Sequence, residues 1–198
     1  MNGDIGQLQR IGLKLFAADG VVVEARELVP VFHRWIQTRA LDGLLVDVAD
    51  YAHLNDGPQV VLVAHEGNLA LDNTAGRLGL QYYRKQPSAG PLTARLRAMS
   101  RMLVRAATLL EEEPALGGRL RFRGDELEFI ANDRLLAPNT EEAFDSMRSG
   151  LEELLRQIYP GARYSIARAA DPEERLTLTV RAAAPVPLAA LAERLTER

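Results

Sequence analysis

The chain has 198 residues, a formal net charge of −3 and 47% hydrophobic residues, enough for one sizeable core. It contains no cysteine, which excludes disulfides, thiol nucleophiles and cysteine-ligated metal centres. The first residues lack the basic and apolar regions of a secretory signal. The longest aliphatic run, Val60 to Ala64, is far below the roughly 20 residues of a membrane span, so a cytoplasmic protein with no membrane partner is expected.

Residues 1–9 offer few apolar anchors and read as a loose tail. Alternation from Ile11 to Phe16 predicts a first strand. Leu28, Val31, Phe32 and Trp35 then fall on one stripe of a helix spanning Glu24 to Ala40, whose start lies within a turn of Pro30. The stretch from Leu41 to Lys85 reads as an antiparallel meander. Its strands are read at Leu44–His53, Gln59–Glu66, Leu69–Leu71 and Leu78–Arg84, with Asn55-Asp56-Gly57-Pro58 as its clearest turn. Pro91 opens an amphipathic helix on Leu92, Leu96, Met99, Leu103 and Leu110. The glutamates from Glu111 to Glu113 end it, at the wrong pole of the helix dipole, and are read as partners of the arginines one turn earlier.

Leu120 and Phe122 alternate with three arginines, and Gly124-Asp125 reads as a hairpin turn returning through Leu127 to Ile130. Asn139 with Glu142 reads as a capping box for a helix through Phe144, Met147, Leu151 and Leu155. A last hairpin, Tyr164–Arg168 with Leu176–Val180, and a short helix at Leu188–Leu195 complete the chain. The fold class is α+β: a largely antiparallel sheet with helices packed on it. The element order suggests two ferredoxin-like βαββα halves, 1–116 and 117–198, joined in one compact unit.

The blocks VPVFHRWIQTRALDGLLVDVADYAHLNDGPQVVLVAHE and FRGDELEFIANDRLLAPNT resemble a group of uncharacterised bacterial proteins of about this length. That resemblance covers most of the chain and implies a bacterial cytoplasmic protein. It brings no activity and no catalytic residue.

The strongest positive feature is charge asymmetry. Between Asn73 and Leu110 there is no acidic residue and there are seven basic ones. Arg97, Arg101 and Arg105 form one stripe, preceded by Arg84 and Lys85 with Tyr82 and Tyr83 beside them. Arg119, Arg121 and Arg123 form a second stripe. Arginine gives bidentate contacts to carboxylates and phosphates, and tyrosine stacks on bases. The leading expectation is therefore a non-enzymatic accessory protein, using these arginines to bind an acidic protein partner or a second copy of itself. RNA binding is an alternative, weakened by the acidic overall charge. Another is an enzyme on a small anionic substrate with His65 or His33 as acid–base group. His33, His65 and Glu66 are the candidate polar residues. No HExxH, GxSxG, P-loop or GxGxxG pattern is present, and no metal or cofactor is expected.

Overall fold

The computed structural model describes residues 5–54 and 56–196. It is an α+β protein: eight strands form one antiparallel sheet, and four helices pack on it. Strand β1 (Ile11–Ala17) leads into α1 (Ala25–Thr38), then β2 (Leu45–Asp50), β3 (Pro58–Ala64), β4 (Gly67–Asp72), β5 (Gly79–Arg84) and α2 (Leu92–Glu111). The second half runs β6 (Phe122–Ala131), α3 (Glu141–Ile158), β7 (Tyr164–Arg168), β8 (Thr177–Ala182) and α4 (Leu188–Thr196). The spatial order is β2-β3-β4-β5-β1-β6-β8-β7. Each half thus starts at the middle of the sheet, crosses by a helix to one edge, and returns strand by strand. The second half has the element order βαββα; the first carries four strands between its helices.

Alternation in the strands divides the sheet into two chemically distinct faces. Ile11, Leu13, Leu15, Leu80, Tyr82, Leu127, Phe129, Leu178 and Val180 join the buried stripes of the helices in a single core. The other face carries Lys14, Phe16, Ala70, Asp72, Gln81, Glu126, Glu128, Thr179 and Arg181. No helix among the described residues is long and apolar enough to cross a membrane.

Several local expectations are corrected. Gly124-Asp125 is not a turn, because β6 runs unbroken from Phe122 to Ala131. Gly124 is there for close approach: a Cβ on it would stand 2.1 Å from the Val186 carbonyl oxygen. Residues 5–9 are not loose. Leu8 is fully buried, and the buried Arg95 guanidinium donates to the Gly6 and Leu8 carbonyls. Residues 1–4 and Asn55 of the predicted turn lie outside the described residues. Helix α1 starts at Ala25 behind a capping box of Glu24 and Glu27, so Pro30 sits beyond its first turn. The cap of α3 is Thr140, whose hydroxyl accepts from Ala143 N. Asn139 instead donates to the Ala169 and Asp171 carbonyls. Glu111 and Glu113 pair not with the arginines of α2 but with Arg121 and Arg34.

The β2 edge is blunted. A bulge lies between Leu45 and Asp47, and the Asp47 carboxylate accepts from Val48 N. Both devices oppose strand addition, although Leu44 and Val46 are 63% and 56% exposed there.

Candidate functional site

The two arginine stripes have different fates. Arg119 pairs with Glu27, and the contact holds the Glu27 carboxyl down to about 2. Arg121 lies 3.6 Å from the Glu111 carboxylate, and Arg123 donates to Asp125 at 2.8 Å. These three arginines are engaged with acidic side chains of their own chain.

The first stripe is divided. Arg97 is half-buried on α2, and its Nε is buried without a partner among the described residues. Arg101 caps the end of α4, donating through Nε and Nη2 to the Leu195 carbonyl at 3.2 and 2.9 Å. Arg105 is exposed and has no acidic partner among the described residues. Arg101 and Arg105 line a groove of about 380 Å3 between α2 and α4, with Met102, Ala192 and Leu195 among its apolar walls. This groove shares Leu41, Asp42 and Met102 with a neighbouring cavity of about 250 Å3 at the ends of β3, β4 and β5.

Arg84 and Glu66 both line that second cavity, together with Tyr82. Burial pushes the Tyr82 hydroxyl up, Arg84 beside it opposes this, and Glu66 adds to it. The register explains why Glu66 arrives here. Leu45 lies opposite Ala64 and Asp47 opposite Val63, so Glu66 falls past the strand pair and abuts Gly43 rather than Asp47. Lys85 follows Arg84 and is exposed.

His33 and His65 are both exposed, on α1 and in the β3–β4 turn, and neither lines a cavity described here. Among the described residues, no group of three or more His, Cys, Asp or Glu is placed to hold a metal ion.

Sequence reasoning missed the helix-free face of the sheet. Lys14 and Asp72 are each 2% exposed and form an ion pair at 2.5 Å. The lysine chain lies across Gly79, where a Cβ would come within 2.9 Å of its Cε. Asp72 also accepts from Thr74 N at 3.1 Å and from Thr74 Oγ1 at 3.0 Å. Beyond Phe16, Glu126 is 1% exposed and accepts from Arg77 and Arg181, both at 2.9 Å. Burial alone would raise the Glu126 carboxyl, but those two hydrogen bonds draw it below its ordinary value. The Arg77 guanidinium also stacks 3.8 Å from the Phe16 ring centre.

Glu128 lies opposite Lys14 in the register and differs from Glu126 in having no hydrogen-bond partner among the described residues. Burial raises its carboxyl, against the pull of Lys14 and Arg77. A carboxyl raised on folding costs stability once it ionises. The cost is absent below the unfolded-state value and fully present above the folded-state value. Glu128→Gln is therefore expected to leave stability little changed in acid and to raise the thermal midpoint at neutral pH. Melting curves of both proteins across that range check it, and a lower midpoint at neutral pH would contradict it. Only the register shows Lys14 beside Glu128. Compared with known proteins, the chain matches no protein-family model and no curated protein.

Proposed function

We propose that the protein is a non-enzymatic binding protein that takes an acidic segment of a partner protein, carrying an apolar anchor, into the groove between α2 and α4. The observation that carries this reading is one rim residue. Arg105 stands exposed and without an acidic partner among the described residues, over a groove walled by Met102, Ala192 and Leu195. Apolar walls supply contact area, and the rim arginine supplies direction and partner choice. The continuation of the groove brings Arg84 together with Asp42 and Glu66, so the choice of an acidic partner rests on Arg105. Arg101 contributes charge but also holds the end of α4, so its replacement would mix binding with folding.

The test is a peptide-display selection on the wild-type protein, counter-selected on Arg105→Glu. The expected result is enrichment of peptides with acidic residues flanking a large apolar one. Affinity for Arg105→Glu should fall by about tenfold or more, since reversal sets like charges together. No enrichment, or equal binding by Arg105→Glu, would overturn the reading. Purification at low salt with absorbance at 260 and 280 nm separates the RNA alternative. Bound nucleic acid would be released steeply as salt rises.

A further inference from the structure

The helix-free face of the sheet carries a second site, distinct from the α2–α4 groove. The register sets Gln81, Lys14, Glu128 and Thr179 side by side across β5, β1, β6 and β8, with Ala70 and Ala167 at the two ends of the row. Ala167 leaves room, and residues of the loops after β4, β6 and β7 line the sides. Together they enclose a cavity of about 520 Å3.

The polar groups of this cavity divide into those already engaged and those still open. Asp72 is satisfied by Lys14, which lies beneath the floor and does not line the cavity, and by Thr74. Arg168 is held by Asn139 and Glu141, and Arg175 by Asn132. Gln81, Glu128 and Thr179 have no side-chain hydrogen-bond partner among the described residues, and neither does Arg134 at the rim. The open groups on the floor are thus the Glu128 carboxyl beside the Thr179 hydroxyl, with the Gln81 amide two strands away across Lys14. The open group at the rim is a guanidinium. Glu173 and Glu174 also line the cavity, so carboxylates outnumber its arginines. A multiply charged anion such as phosphate is poorly matched to that balance. A small zwitterion suits it.

We infer that this cavity binds a small amino-carboxylate, a free amino acid or a short peptide, with its ammonium on Glu128 and Thr179 and its carboxylate toward Arg134. An ammonium there gives the half-buried Glu128 carboxylate the partner the chain does not provide. The carboxylate at the rim gains a charge-assisted hydrogen bond from arginine. The inference does not rest on the α2–α4 groove, which lies on the other side of the sheet.

The test is calorimetric titration of the full chain with each of the common free amino acids and with glycylglycine. Putrescine serves as an amine without carboxylate, and inorganic phosphate as an anion without amine. Binding of at least one amino-carboxylate is expected, with putrescine and phosphate each about tenfold weaker or worse. Glu128→Gln should abolish the binding and Arg134→Ala should weaken it several-fold, both with a folded-state spectrum like that of the wild type. Arg105→Glu should bind as the wild type does. Failure of every amino-carboxylate at millimolar concentration would overturn the inference. So would undiminished binding by Glu128→Gln, or a preference for phosphate.

Discussion

Asp72→Ala is expected to destabilise the fold by about 3–5 kcal/mol, the range for removing one partner of a buried ion pair. The Lys14 ammonium would stay at the centre of the sheet, 2% exposed, stripped of its hydrogen-bonded carboxylate and left with only Glu128 opposite it. It cannot simply swing outward, since its chain is pressed onto Gly79 between β1 and β5. The paired replacement Lys14→Met with Asp72→Leu removes both charges together. It is expected to recover most of the loss, because an apolar pair avoids the desolvation that the ions incur. Urea unfolding followed by Trp35 fluorescence reads both results. Trp35 is the single tryptophan, is 4% exposed and packs against Phe32. A loss below about 1 kcal/mol for Asp72→Ala would place the pair among weak surface contacts instead.

Gly124→Ala is the second large effect. The added methyl would stand 2.1 Å from the Val186 carbonyl oxygen and 3.1 Å from its carbon, both backbone atoms. A flexible side chain could turn away from such a contact; the backbone of residue 186 has to move. Movement there pulls on the entry to α4, whose Leu191 packs in the core. The Gly124 carbonyl also accepts from the buried Tyr159 hydroxyl at 2.7 Å, so displacement of β6 strains that bond too. The cost is expected in the upper part of the roughly 1–3 kcal/mol typical of overpacking. An unfolding curve superposable on that of the wild type would show that the segment at Val186 yields freely.

Elements with one strong local signal were legible from the chain. The α1 stripe through Leu28, Val31, Phe32 and Trp35, the α2 stripe through Leu96, Met99 and Leu103, and the meander from β2 to β5 all stand where periodicity puts them. The error at Gly124 shows where such signals fail. A glycine followed by aspartate marks a turn when the cause is local. Here the cause is a chain segment some sixty residues later, which crosses the strand and leaves no trace in the neighbouring sequence. The arginines teach the same lesson. Arg105 and Arg119 look alike in sequence, and only the fold places Glu27 beside one and a groove beside the other. The open-face cavity was hidden for a further reason. Its floor takes residues from β4, β5, β6, β7 and β8, and their alignment depends on registers set across β1 between partners far along the chain.

The buried ion pair also governs what reagents can do to this protein. The chain has only two lysines. Lys14 is sealed beneath the sheet face, while Lys85 is exposed, one residue beyond Arg84 at the cavity next to the α2–α4 groove. Apart from the terminal amine, an amine-directed acylating dye or cross-linker therefore meets a single side chain in the native fold. That side chain follows Arg84, which lines the cavity next to the groove. One label at Lys85 would tag the native fold without any engineered cysteine, and the appearance of a second modified lysine would time the opening of the sheet.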